Sequence, residues 1–234
     1  MIELQQMARD EGICLTDEML RDFAIYQELL LDWNNRMNLT AITEPRDILI
    51  KHFLDSILLL RWCEIPRNAK VIDVGTGAGF PGIPLKIVRP DLQLTLLDSL
   101  QKRVTFLTEV SRQLHQDNQC VHSRAEDLAH QAEHREQYDV ATARAVASLP
   151  VLSELCLPFV KRGGYFLAMK GPDSQEEMEK ALRGIHLLGG AVKDSPSYTL
   201  PDGSGRALYI IEKTSQTPTK YPRKQGKITK APLI

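Results

Sequence analysis

The sequence predicts an α/β fold, a doubly wound and mostly parallel sheet preceded by helices. Two observations predict it. From residue 69 onward, strand-like and helix-like segments alternate, the pattern of a parallel sheet covered by helices. Between the first strand and the first helix of that run stands VIDVGTGAGFPG (71–82), with four glycines and a proline in its last eight positions. Glycine at that density marks a backbone that turns sharply or comes close to a ligand.

The elements follow in order. Thr16 is an N-cap candidate, and Met19, Phe23, Tyr26, Leu30 and Trp33 recur at helical spacing, with Asn34 and Asn35 near the end of the helix. A second helix starts at Pro45 and runs through DILIKHFLDSILLLRW (47–62). It turns Ile50, Phe53, Leu54 and Ile57 to a core. His52, Asp55 and Ser56, at i, i+3 and i+4, share another face, which either lines a substrate cleft or meets solvent. Strands are expected at AKVIDV (69–74), LQLTLLD (92–98), a short piece of QCVHSRAED (119–127), YDVATARAV (138–146) and GGYFLAMK (163–170). Helices follow Pro81 and occupy 101–114, 149–160 and 174–188. AVKDSPSYTL (191–200) and RALYIIEK (206–213) close as an antiparallel pair joined by PDGSG. Mixed edges are common on such sheets. The chain divides into a helical extension packed on the core (1–66), the α/β core (67–213) and a basic tail (214–234).

Composition bounds the function. With 43% hydrophobic and 25% charged residues, the chain reads as a globular protein. Its longest aliphatic run, Ile57 to Leu60, is far too short to span a membrane, and its first residues lack a secretory pattern. Four scattered cysteines without CxxC predict reduced thiols, a cytoplasmic location and no metal centre. His130 and His134, at i, i+4 in a very polar segment, read as a solvated helix. The net charge of −1 hides an asymmetry: residues 1–35 hold eight acids and two arginines, while after Glu212 there are six cations and no acid. A basic tail points to a polyanionic partner.

Two ligand classes compete for the glycine stretch. Gly77 to Gly82 matches GxGxxG, a dinucleotide pattern that is weak alone. Asp73 stands two residues before Gly75, and a carboxylate there suits a cationic amino group and a sulfonium but repels a pyrophosphate. The apolar-apolar-Asp73-apolar-Gly75-x-Gly77-x-Gly79 pattern resembles motif I of the class I S-adenosylmethionine-dependent methyltransferases, a Rossmann-like fold. Asp98 ends the next strand, where an acid accepts ribose hydroxyls. Ala125 and Glu126 offer a backbone amide and a carboxylate to an adenine edge. Near the methyl acceptor, TARAVA (142–147) has neither Asn-Pro-Pro-aromatic nor Pro-Cys, and Cys156 reads as core. That leaves open an acceptor that needs no deprotonation, such as guanine N7, for which catalysis rests on positioning, though this step alone does not reach guanine. Arg144 places donors at guanine O6 or touches the cofactor. Lys170, at the mouth of the cleft, is placed to hold a phosphate. Tyr221 with Arg223 and Lys224 combines stacking and cations, which suits RNA.

The assembled motifs resemble the ribosomal small-subunit guanine-N7 methyltransferase family, also called glucose-inhibited division protein B. The resemblance rests on NNRMNLTAI (34–42), HFLDS (52–56), DVGTGAGFPGIPLKI (73–87), LLDSLQKRVTFL (96–107), RAED (124–127), ARAVA (143–147), AMKG (168–171) and KYPRKQGKITKAPL (220–233). It implies S-adenosylmethionine as cofactor and formation of 7-methylguanine in 16S ribosomal RNA near the decoding site. It carries cofactor contacts to Gly75, Phe80, Ala125, Glu126 and Arg144. The residue reading adds Asp73, Gly77, Gly79 and Asp98. Arg144 and Lys170 are the catalytic candidates. His52, Lys220, Tyr221, Arg223, Lys224 and Lys227 are the RNA-binding candidates. The expected partner is 16S RNA or the small subunit, and the protein is expected to be a monomer. A ribosome-assembly factor that binds the cofactor without transfer, and a nicotinamide-dependent oxidoreductase, remain as alternatives.

Overall fold

A computed structural model describes residues 1–144 and 147–234, so Ala145 and Val146 of the ARAVA motif lie outside the described residues. The chain begins with helices α1 (Ile2–Asp10) and α2 (Asp17–Met37). Thr16 Oγ1 accepts from the Met19 amide, as an N-cap should. Helix α2 runs past the expected end to Asn38, which closes it at φ 49°. Asn34 instead accepts the Thr40 amide through its side chain and ties down the adjoining loop.

The second expected helix is interrupted: α3 (Pro45–Asp47), a π-helical stretch (Ile48–Leu54), α4 (Asp55–Ile57) and α5 (Leu59–Trp62). A π turn takes more residues per revolution and re-aims the side chains beyond it. This corrects the solvent half of the expectation for His52, Asp55 and Ser56, all of which are buried.

The remaining elements are β1 (Lys70–Val74), α6 (Gly82–Val88), β2 (Gln93–Asp98), α7 (Gln101–Gln113), β3 (Gln119–His122), α8 (Ala125–Leu128) and β4 (Tyr138–Arg144). After them come α9 (Leu149–Cys156), β5 (Val160–Lys170), α10 (Gln175–Leu187), β6 (Gly190–Asp194), β7 (Ser197–Thr199), β8 (Gly205–Lys213) and α11 (Gln225–Lys230). The sheet order is β3-β2-β1-β4-β5-β8-β6, with β7 also on β8. Strands β1 to β5 are parallel and β8 is antiparallel to β5, β6 and β7. The expected terminal antiparallel pairing is present, but β8 inserts between β5 and β6 rather than extending the edge.

Alternating strand residues feed two cores, as strand geometry requires. Val71, Val140 and Leu167 face one with α1, α2, the π-helical stretch, α6 and α7. Ile72, Ala141 and Phe166 face the other with α9 and α10. The first 66 residues therefore share a core with the sheet and form one of its covering layers. No helix among the described residues is long and apolar enough to cross a membrane.

The basic tail is not a free extension. Tyr221 and Ile228 are buried, and Leu233 lies against Gly184. Arg135 donates to the carbonyls of Thr217 and Tyr221. Lys213, wholly buried, pairs with Glu136, and Arg223 pairs with buried Glu154. This corrects the expectation that Tyr221 and Arg223 present a stacking surface and a cation to RNA. Apolar neighbours draw Tyr221 inward and Glu154 holds Arg223, while Lys220, Lys224 and Lys227 stay exposed.

Candidate active site

The loop after β1 bends through three left-handed glycines, Gly75 (φ 68°), Gly77 (φ 62°) and Gly79 (φ 102°). The amides of Gly75 and Thr76 donate to the Leu97 carbonyl at the end of β2. Asp98, the next residue, accepts from the Gly77 amide at 3.0 Å, the Leu100 amide at 2.9 Å and Arg103 at 3.3 Å. Together they wall a cavity of about 400 Å³ whose lining includes Gly75, Gly77, Phe80, Asp98, His52 and Arg144. A Cβ on Gly77 would meet nothing within 4 Å, so that backbone faces open space.

Four of the expected ligand contacts do not line this cavity. Asp73 has no exposure, and its carboxylate accepts from Thr76 Oγ1 (2.6 Å), the Gly82 amide (2.9 Å) and Thr142 Oγ1 (3.3 Å). Burial pushes its carboxyl up to about 6, against the pull of the hydroxyl and amide donors. Asp73 thus braces both ends of the glycine loop and does not line the cavity. Gly79 is filled from behind, since a Cβ there would lie 2.5 Å from Ile83 Cδ1 and 2.7 Å from the Tyr26 hydroxyl. Ala125 and Glu126 open α8 outside this cavity but beside it, because the Ser123 amide donates to the Asp98 carbonyl.

His52 stacks on Phe80, with ring centroids 4.3 Å apart, and the Arg144 guanidinium lies 4.9 Å from the Phe80 ring. Arg144 Nη2 meets His52 Nδ1 at 2.9 Å, and His52 Nε2 meets Thr40 Oγ1 at 2.9 Å. Arginine offers only donors, so Nδ1 accepts and Nε2 carries the hydrogen. Burial, and then Arg144, push the imidazole down to about 3. His52 is therefore a neutral wall of the site.

This neutrality sets a pH dependence. Below pH 6.5 the unfolded chain protonates His52 while the folded chain does not, so its contribution to stability falls as pH drops from 6.5 towards 3. Asp73 acts oppositely: between 3.8 and about 6 the folded state keeps a proton that the unfolded state has lost, so its contribution falls as pH rises. His52→Gln removes only the first effect. In urea unfolding, the stability of the variant relative to wild type is expected to rise by a few kcal/mol, about 3, as pH is lowered from 7 to 4. A difference independent of pH would show that His52 titrates normally.

Lys170 is committed rather than free. Its Nζ pairs with Glu177 at 2.8 Å and donates to the Ala147 carbonyl at 2.9 Å. It lines a second cavity of about 430 Å³ with Lys51, Asp55, Met169 and Arg206. The two cavities share His52 and Arg144 as a common wall. Sequence reasoning missed Tyr26, whose hydroxyl donates to the Ala78 carbonyl inside the glycine loop. The available signal was a tyrosine on an apolar stripe, since a buried hydroxyl needs a partner. It also gave Arg206 no role, and placed Asp55 only on a face that lines a cleft or meets solvent. Among the described residues, no group of three His, Cys, Asp or Glu could hold a metal ion.

Solved structures share this fold at low identity. The YcgJ protein of Bacillus subtilis aligns with a TM-score of 0.54 at 12% identity, covering 70% of this chain and 100% of that one. A geranyl diphosphate methyltransferase in complex with SAM aligns at 0.56 with 13% identity, covering 68% of this chain and 84% of that one. Curated relatives are far closer in sequence. "Ribosomal RNA small subunit methyltransferase G" of Desulforamulus reducens is 50% identical, covering 99% of this chain and 98% of its own. The protein of the same name from Staphylococcus saprophyticus is 48% identical over 99% and 97%. A family model described as "GidB: rRNA small subunit methyltransferase G" matches residues 19–202, and the chain belongs to that family.

Proposed function

We propose that this protein methylates N7 of one guanine in 16S ribosomal RNA, near the decoding site, with S-adenosylmethionine as cofactor. Methylation of ribosomal RNA follows from the family. The choice of N7 is carried by one observation: the wall between the two cavities holds no free base. Arg144 has no acceptor, and both ring nitrogens of His52 are engaged. Asp55 at the second cavity already accepts from Tyr198, Arg144 and Arg206. An acceptor here must bring its own lone pair, as a guanine ring nitrogen does.

The residues fit the cofactor. Gly77 leaves its backbone open to the first cavity, Asp98 stands at the strand end with one lone pair left on Oδ1 for a ribose hydroxyl, and Ala125 and Glu126 lie next to it for the adenine. S-adenosylmethionine, when bound, supplies a methyl carbon on a positively charged sulfur, so the sulfur keeps the bond pair and the charge passes to the base. The protein's part is alignment. The stacked Phe80 and His52 and the pinned Arg144 form the wall where the two cavities meet, and the burial of the two rings excludes water from it.

The test is methyl transfer from labelled S-adenosylmethionine to small subunits and naked 16S RNA from cells lacking this protein, with cleavage at 7-methylguanine. Label at a single guanine N7 is the expected result. Label at another atom, or none, would overturn the reading.

A further inference from the structure

Asp55 gathers three distant segments. Its Oδ1 accepts from the Tyr198 hydroxyl on β7 at 3.0 Å. Its Oδ2 accepts from Arg144 on β4 and from Arg206 on β8, each at 3.3 Å. Two guanidiniums therefore share one carboxylate that is 2% exposed. The second cavity adds Lys51 and Lys170 to its lining. The acids that balance these lysines, Asp47, Asp202 and Glu177, do not line it. The cavity thus presents four cations and one carboxylate. Each cation has an acid partner, but three of those acids lie outside the lining, so the face turned to the cavity is cationic and favours an incoming anion.

Arg206 is the member best placed to meet it. Its Nε is on Asp55 and its Nη1 donates to the Gly205 carbonyl at 2.8 Å, leaving Nη2 without a partner among the described residues. It lines only the second cavity, whereas Arg144 lines both and is held by His52 and Lys51. We propose that Arg206 is a positioning residue that holds a backbone phosphate of the acceptor nucleotide through Nη2, beside the Lys51 and Lys170 ammoniums. This rests on the second cavity receiving the RNA nucleotide to be methylated. A phosphate, rather than a base edge, is the partner that the charge favours. Alkylation leaves the base positive, and a guanidinium against that base would oppose the product. A guanidinium on the phosphate balances charge without touching the ring.

The experiment uses the full chain with S-adenosylhomocysteine bound and measures its dissociation constant for 16S RNA at several salt concentrations. Wild type, Arg206→Gln and Arg206→Lys are compared. Arg206→Gln is expected to weaken RNA binding roughly tenfold. It should also lower the slope of log affinity against log salt by about one, while S-adenosylhomocysteine affinity stays within about twofold of wild type. Arg206→Lys keeps the charge, so its slope should match wild type while its affinity falls less. An unchanged slope in Arg206→Gln would overturn the proposal, because a neutral or purely structural contact releases no counterion. Loss of cofactor affinity in step with RNA affinity would overturn it too. Should Arg206→Gln fail to fold, a folded Arg206→Lys with wild-type RNA affinity would do the same. RNA binding is read without turnover, so a wrong methylation site in the product map defeats the N7 reading and leaves this comparison intact.

Discussion

Gly79→Val is expected to abolish S-adenosylmethionine binding and to cost about 3 kcal/mol or more of stability. Two independent effects add. The residue sits at φ +102°, where a β-branched side chain is strained. Its Cβ would also lie 2.5 Å from Ile83 Cδ1 and 2.7 Å from the Tyr26 hydroxyl. Neither neighbour yields easily, since Ile83 is wholly buried in α6 and Tyr26 is anchored on the Ala78 carbonyl. Relief has to come from the loop, and moving the loop moves Gly75 and Gly77 on the cavity wall. Gly77→Ala is the control: φ is again positive, but nothing lies within 4 Å. It should cost about 1 kcal/mol, from backbone strain alone. Urea unfolding and calorimetric titration with S-adenosylhomocysteine read both. Wild-type affinity in Gly79→Val would show that α2 does not template the loop.

That dependence of the loop on α2 was only half legible in the sequence. Helical spacing put Tyr26 on an apolar stripe, and alternation of elements placed the glycine loop at a strand's carboxyl end. Both are local patterns, and local patterns survive folding. Asp98 at the end of β2 was found the same way. The roles of Asp73 and Gly79 were misread because a motif specifies spacing, not direction. The same Asp-x-Gly pattern serves a carboxylate that faces a ligand and one that accepts from its own loop. His52 and Asp55 line one cavity and Ser56 does not, and their burial was obscured because 3.6-residue counting cannot foresee a π turn. Arg206 could not be joined to Asp55 at all, since 151 residues separate them and the insertion of β8 beside β5 brings them together.

The tail carries the second large effect. Arg223→Ala is expected to cost about 3–5 kcal/mol, the penalty for leaving a buried charge without its partner. Glu154 has no exposure, and its two oxygens accept from the Arg223 amide, Nε and Nη2 at 2.6–2.8 Å. Alanine keeps the amide and loses the guanidinium. Nothing else among the described residues pairs with Glu154, so its charge must be neutralised or α9 must shift. Lys224→Ala and Lys227→Ala, at exposed positions, should stay within about 0.5 kcal/mol of wild type. A double variant of these lysines should instead lower the salt slope of RNA binding. The same chain segment thus holds two kinds of cation that composition alone counts as one. If Arg223→Ala unfolds in urea like wild type while RNA affinity drops, the tail is a free basic arm and its docking on α9 is wrong. If stability falls by several kcal/mol, removing residues 214–234 must also disturb the packing behind α8 and α9. A loss of RNA binding in such a truncation would then not by itself identify an RNA contact.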